Sequence, residues 1–313
     1  MNWFYSNIVD RLTNKNLDFS LKFSKIDFDI VSFDTASNNV VLDIVNSTSK
    51  KIYVLLSGGL DSEFVIRKFH QLKIDFIPVI IDREGEEYRL EREYAYKVLR
   101  DLNITNAKIL KLSDVECVKI VYEKIYKNLN SNIFAPIQIY SCQFAESENA
   151  IIVDGTHFGG FAQQAARYSN RLMEEKYKEQ NWNNSLMKNC DFFLRESEIY
   201  ALAYYKIGFP LYCFFMHTPQ IVVSMLDEID DKDYHWHDYK SRIYKISYRP
   251  KLRSKLPELD KNIVDLIKIN NPDFFQPRGL SNENLLNKKY PKDTVNFGKK
   301  EQFRSLIING SDE

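Results

Sequence analysis

An apolar run that stops abruptly at two glycines constrains this chain more than any other feature. Lys51 to Leu56 (KIYVLL) reads as a short buried strand, Ser57-Gly58-Gly59 breaks it, and Ser62 to Leu72 continues with helical spacing. A strand that passes straight into a helix is the first half of a crossover unit, and the same alternation recurs downstream. Phe76 to Ile81 (FIPVII) reads as a second strand, about Glu86 to Leu102 as a charged amphipathic helix, and Lys108 to Leu112 as a third strand. A helix is expected at about Asp114 to Leu129. After a segment around Ala135 to Glu146, a fourth strand, Ala150 to Val153 (AIIV), ends at Asp154-Gly155. Strands alternating with helices predict an α/β fold with a doubly wound, mostly parallel, Rossmann-like sheet. Ligands of such sheets collect outside the carboxyl ends of the strands, where Ser57, Asp82 and Asp154 fall.

The flanks are less regular. Residues 27–45 (DFDIVSFDTASNNVVLDIV) alternate apolar and polar side chains about Ser37-Asn38-Asn39, which predicts a β-hairpin. From Cys190 to about Glu228 the pattern is mostly helical, broken by Gly208-Phe209-Pro210, and beyond about 260 it becomes a polar helix and a Pro- and Asn-rich tail. The expected organisation is an N-terminal β-hairpin extension over 1–48, the α/β domain over 49–260 and a C-terminal extension over 261–313.

The 313 residues are enough to bury a substantial core. The 43 basic and 43 acidic side chains cancel, so any anion site must be local. Cys117, Cys142, Cys190 and Cys213 form no Cys-x-x-Cys pair and read as free thiols of a reducing cytosol. No stretch approaches the run of about 18 apolar residues that a membrane span needs, and the N-terminus lacks an apolar signal segment. The expected location is cytoplasmic.

The hexapeptide Ser57-Gly58-Gly59-Leu60-Asp61-Ser62 carries the chemistry. Two glycines let the backbone turn sharply and approach an anion, while a helix N-terminus supplies N–H donors and partial positive charge. Ser57 and Ser62 add hydroxyls. Asp61 fits a phosphate site once a divalent cation is included, because Mg²⁺ bridges a carboxylate to phosphate oxygens. The spacing is neither that of the Walker A loop nor that of the dinucleotide fingerprint.

The loop resembles the Ser-Gly-Gly-x-Asp-Ser motif of the N-type ATP pyrophosphatases, the PP-loop superfamily. That resemblance implies an adenine nucleotide alpha hydrolase-like fold, ATP and Mg²⁺ as cofactors, and attack of a substrate oxygen on the α-phosphate to give an adenylate and pyrophosphate. It also implies adenosine at the end of the second strand, with the backbone from Val79 to Ile81 reading the base and Asp82 beside it. Asp82 is equally readable as a carboxylate that merely ends a strand.

Within that superfamily the chain is most similar to the synthetase domain of asparagine synthetase. Asp154-Gly155-Thr156-His157-Phe158-Gly159-Gly160-Phe161 stands where that family carries a glycine-rich segment. Its Phe-Gly-Gly-aromatic end matches, but Gly155 and Thr156 replace the family's acidic pair. Asp154 is then the second candidate metal ligand after Asp61, and Gly155 a cofactor-binding position. Lys240 to Lys255 holds seven Lys or Arg and no acid. The resemblance implies a catalytic lysine there, Lys251 beside Arg249, with Lys245 and Lys255 as rivals; a basic face or a patch for RNA phosphates is the other reading.

Asn2 occupies the position of the family's glutaminase nucleophile, and only about 50 residues precede the loop. An amide ligase of this kind is therefore expected to use ammonia or a separate glutaminase. It would join a small-molecule acceptor to the amine. The alternatives are a nucleobase- or tRNA-modifying enzyme of the same superfamily and a non-catalytic ATP-binding relative. His235-Trp236-His237 lacks a third ligand and implies no zinc. Cys142 and His157 flank the fourth strand without evident pairing, and the aromatics from Tyr204 to Phe215 read as core.

Overall fold

The computed structural model describes residues 3–7, 20–83, 89–113, 116, 135–155, 192–195, 210–228, 294–298 and 300–311. Two short strands, β1 (Phe4–Ser6) and β2 (Leu21–Phe23), pair antiparallel ahead of the helix α1 (Phe33–Asn46). Then come β3 (Lys51–Leu55), α2 (Leu60–Gln71), β4 (Ile77–Arg83), α3 (Arg89–Asp101), β5 (Lys108–Leu112), α4 (Ala135–Ser147) and β6 (Ala150–Asp154). Later elements are β7 (Phe192–Arg195), β8 (Leu211–Cys213) leading into a 3₁₀ turn over Phe214–Met216, α5 (Pro219–Glu228), β9 (Thr294–Gly298) and α6 (Lys300–Asn309).

Five strands form the main sheet in the order β5-β4-β3-β6-β8, every pair parallel. The chain moves outward from β3 to β5, then returns to the other side of β3 with β6 and β8. The direction therefore reverses between β3 and β6, and that reversal opens a crevice at their carboxyl ends. This is the Rossmann-like α/β architecture, with all four strands anticipated from the alternation in place.

Two expectations are corrected. Residues 27–45 do not make a hairpin, because Phe33–Asn46 is helical. Phe33, Ala36, Ser37, Val40, Val41 and Ile44 recur at helical spacing and are buried, and the Ser32 hydroxyl caps the helix by accepting from the Thr35 N–H at 3.2 Å. Burial of that stripe outweighs the strand preference of the β-branched residues and the turn preference of the Asn pair. The small antiparallel sheet lies earlier, at β1 and β2. Likewise, among the described residues of the segment from Cys190 to Glu228, Phe192–Arg195 and Leu211–Cys213 are strands, the latter a fifth parallel strand of the main sheet, and helix is confined to the 3₁₀ turn and α5; residues 196–209 lie outside the described residues. Three residues are too few to display a period of two.

Aromatic side chains knit the core. Phe33 of α1 stacks on Phe64 of α2 at 5.3 Å, and Phe64 meets Phe215 at 5.6 Å. Side chains alternate faces along β3, and Tyr53 stacks on Phe144 of α4 at 5.3 Å. The chain ends also meet: Phe23 of β2 packs against Phe297 and Phe303, and the Ser311 N–H donates to the Phe23 carbonyl at 2.9 Å. Arg304 of α6 grips both carboxylate oxygens of Asp227 on α5.

Lys68 of α2 is fully buried, with its ammonium 2.5 Å from Asp34 Oδ1 and 3.0 Å from Asn38 Oδ1. This polar staple ties α1 to α2. A buried cation that loses its anion costs more than one replaced by an apolar chain of similar length. Asp34→Ala is therefore expected to destabilise by about 1–3 kcal/mol in urea unfolding, and Lys68→Met by much less; the reverse order would show that the staple does not stabilise this helix pair.

His217 is buried, with Nε2 2.5 Å from Asp43 Oδ2 and Nδ1 without a hydrogen-bond partner. Burial holds the imidazole below its ordinary value of 6.5, against the opposing pull of Asp43. A histidine harder to protonate folded than unfolded contributes stability that is present above the unfolded value and is lost as pH falls through it. The advantage of wild type over His217→Gln in urea midpoint should thus shrink between about pH 7.5 and about pH 5.5, and a constant advantage would exclude the effect.

Candidate functional site

The loop between β3 and α2 sits at the switch point. Leu56 is held to the neighbouring strand by its N–H bond to Val79 O at 2.8 Å, and the chain then turns at Gly58, whose φ is +77°. A Cβ added to Gly58 would lie 2.2 Å from Glu91 O and 3.2 Å from Ala95 N, so the loop lies directly under the backbone of α3. Gly58 is glycine for two reasons, its left-handed backbone and this contact.

Gly59 is glycine for neither. It is the N-cap of α2 with φ −79° and ψ 161°, an extended conformation open to any residue, and an added Cβ would meet only Ser57 Oγ, at 3.4 Å. It supplies no side-chain cap to the helix. The missing side chain therefore keeps the approach to the α2 N-terminus clear, and the helix end carries partial positive charge and N–H donors there.

The serines line this approach. Ser62 Oγ accepts from Ser57 N–H at 3.1 Å and donates to Gly59 O at 3.0 Å. With that single proton committed, the 3.1 Å contact between the two hydroxyls uses Ser57 as donor. Ser62 is buried and fixed, whereas Ser57 is exposed and can rotate to donate to an incoming anion. Glu63 is buried against Arg67 at 2.7 Å, which keeps its charge off the loop.

From the other side of the crevice, β6 delivers Asp154 and Gly155. A Cβ on Gly155 would fall 3.0 Å from the Asp61 carbonyl carbon and 3.1 Å from Ser62 N, so β6 runs straight into the first turn of α2. Asp61 is partly exposed, while Asp154 is buried and hydrogen-bonded to the Cys213 thiol. Burial first, then the charge of Asp154, pushes the Cys142 and Cys213 thiols up, leaving both as protonated, unreactive core residues. Among the described residues no group of three potential ligands is arranged around a metal. One carboxylate beside a phosphate cradle nonetheless suits Mg²⁺, which keeps most of its waters and binds through substrate phosphates.

At the end of β4, Ile81 and Asp82 stand beside the loop strand. Asp82 Oδ1 is 3.4 Å from Arg92 Nε of α3, and Arg92 also donates to Arg83 O at 2.7 Å. The structure thus gathers Ser57, Gly58, Gly59, Leu60, Asp61, Ser62, Ile81, Asp82, Asp154 and Gly155 at one edge of the sheet. Lys251, Arg249 and the residues 156–161 lie outside the described residues. The sequence reading missed Arg92, which nothing distinguishes among the charges of its helix, and Cys213, which fell in a stretch read as helical.

The fold and site together define a Rossmann-like α/β protein with an anion-ready loop at its switch point. No family model matches the chain. It is similar to 7-cyano-7-deazaguanine synthase 1 of Desulfitobacterium hafniense (strain Y51), 23% identical over 129 residues, which cover 41% of this chain and 58% of that relative. The match therefore spans little more than half of the relative's length. Among solved structures, it is similar to the U34-tRNA thiolase of Methanococcus maripaludis, with 12% identity, a TM-score of 0.39, and 82% of this chain and 78% of that one covered. A second is the NMN synthetase of Francisella tularensis, with 15% identity, a TM-score of 0.30, and coverage of 41% and 54%. A third is the NH3-dependent NAD synthetase of Campylobacter jejuni, with 11% identity, a TM-score of 0.31, and coverage of 79% and 96%. Among the described residues no helix is long and apolar enough to cross a membrane.

The two glycines are expected to respond differently to alanine. Gly58→Ala should lower stability by at least about 1–2 kcal/mol from the left-handed backbone alone, with the clash against Glu91 added. Gly59→Ala should leave the unfolding midpoint nearly unchanged. Equal losses at both positions in thermal unfolding would mean that Gly59 is structural.

Proposed function

We propose that this chain is an ATP pyrophosphatase that transfers AMP to an oxygen of its substrate and releases pyrophosphate. The observation that carries the reading is Gly59, a glycine required by neither backbone nor packing, at the open N-terminus of α2 within Ser57-Gly58-Gly59-Leu60-Asp61-Ser62. In this reading the first-turn N–H groups, that of Ser62 among them, and the Ser57 hydroxyl bind the β- and γ-phosphates of ATP, while the Ser62 hydroxyl holds the loop through Ser57 and Gly59. The phosphate-binding donors thereby stabilise the charge that develops on pyrophosphate as it leaves. Asp61 is the residue that would hold Mg²⁺, which supplies neutralisation of the polyphosphate when bound. Asp154, engaged with Cys213, supports the end of β6. Backbone at Ile81 and the Asp82 carboxylate take the adenosine, and Lys251, with Arg249, is assigned to the phosphate that is attacked.

For the acceptor, the similarity to a 7-cyano-7-deazaguanine synthase supports a base-like substrate, free or within RNA; in this reading an oxygen of that substrate takes the AMP. The basic stretch from Lys240 to Lys255 suits an RNA acceptor. A second reading, an amide ligase that adenylates a carboxylate and passes it to ammonia from solution or from a separate glutaminase, draws on Phe158-Gly159-Gly160-Phe161 directly after β6. Either reaction suits the cytoplasm.

Exchange of labelled pyrophosphate into ATP, run across purine bases, tRNA and amino acids, tests the activity and sorts the acceptors. AMP and pyrophosphate are the expected products, and ADP with orthophosphate would end the proposal. Asp61→Asn and Gly59→Val should each weaken Mg²⁺-dependent ATP binding by about tenfold or more, the scale of one charge-assisted contact. Unchanged affinity in both variants would remove the loop from the mechanism.

A further inference from the structure

The Arg92 side chain joins two successive residues at the carboxyl end of β4. Its Nε lies 3.4 Å from Asp82 Oδ1 and its NH1 donates to Arg83 O at 2.7 Å, with Arg92 and Asp82 each about one quarter exposed (24% and 23%). The same turn of α3 touches the loop, because Glu91 O and Ala95 N are the atoms against Gly58. One helical turn therefore contacts both halves of the crevice: the glycine turn, which takes an anion, and the strand end beside it. Asp82 follows the glycine pair by roughly 20 residues at the end of the adjacent strand, the placement from which a carboxylate accepts ribose hydroxyls in nucleotide-binding sheets. An unneutralised carboxylate there would repel a polyphosphate, and a free-swinging one would lose entropy on binding.

Resting on the ATP reading above, we propose that Arg92 is a positioning residue for the nucleoside half of the site. It holds Oδ1 of Asp82 and cancels its charge, leaving Oδ2 to accept from the ribose, while the loop alone takes the pyrophosphate half. Arg92 itself touches neither the nucleotide nor the reacting atoms.

The two halves separate experimentally, because inorganic pyrophosphate engages the loop without the nucleoside site. Calorimetric titrations of the full chain with Mg²⁺-ATP and with Mg²⁺-pyrophosphate would compare wild type, Arg92→Gln, Asp82→Asn and the double variant. Arg92→Gln should bind ATP about tenfold more weakly with pyrophosphate affinity unchanged. The double variant should be no weaker than Asp82→Asn, since Arg92 acts through Asp82. Arg92→Lys, which keeps the charge but not the forked geometry, should fall between wild type and Arg92→Gln; it also serves if Arg92→Gln does not fold. Unchanged ATP affinity, an equal loss for both ligands, or additive losses in the double variant would each overturn the assignment while leaving the ATP reading intact. Wild-type protein that binds neither ligand would instead end the ATP reading and this inference with it.

Discussion

The close approach of three backbones around the turn between β3 and α2 is the constraint on which the rest of the site depends. Gly58 lies beneath the carbonyl of Glu91, and Gly155 abuts Asp61 and Ser62, at distances that admit no side chain in between. Those contacts fix the first turn of α2 between β3 and β6, the neighbouring parallel strands from which the chain continues to opposite sides of the sheet. Behind it, Phe64 against Phe33 and Phe215, and the buried Lys68 bound to Asp34 and Asn38, hold the body of the helix. A rigid helix with an open N-terminus is a fixed arrangement of dipoles, which binds an anion without reorganising.

The net charge of zero makes local arrangement decisive. Three carboxylates stand at or just past strand ends, and their surroundings give them different chemistry. Asp61 is partly exposed at the loop. Asp82 is held by Arg92 and thereby neutralised. Asp154 is buried behind Gly155 and engaged by the Cys213 thiol, so its charge raises nearby thiols rather than reaching solvent. Exposure, pairing and burial divide one residue type into three roles.

The flanking segments stabilise the sheet from outside. α1 covers α2, α5 packs on α1, and the β1–β2 pair shares an aromatic cluster with β9 and α6. Residues nearly 300 positions apart thus meet, as in the bond between Phe23 N–H and Ser311 Oγ at 2.9 Å. Such contacts carry a large loop-closure cost that a broad apolar surface offsets.

By itself the sequence determined the four strands beginning near Lys51, Phe76, Lys108 and Ala150 and the helices after the first two, and with them the parallel sheet and the position of Ser57 to Ser62 on its edge. The helix expected at about Asp114 to Leu129 lies outside the described residues, and Ala135–Ser147 was not read as a helix. Periods of 2 and 3.6 and a pair of glycines are local signals, readable without knowing what lies opposite. Tertiary structure alone decided the state of residues 33–46, where burial of Phe33, Val40 and Ile44 against distant partners selected a helix. It also recruited Leu211–Cys213 to the sheet, because a three-residue strand is defined by its neighbour β6 and not by its own pattern. The different reasons for Gly58 and Gly59, and the grip of Arg92 on Asp82, were likewise settled only in three dimensions. The meaning of a glycine or a charge lies in the atoms packed against it, and the linear order of residues does not record them.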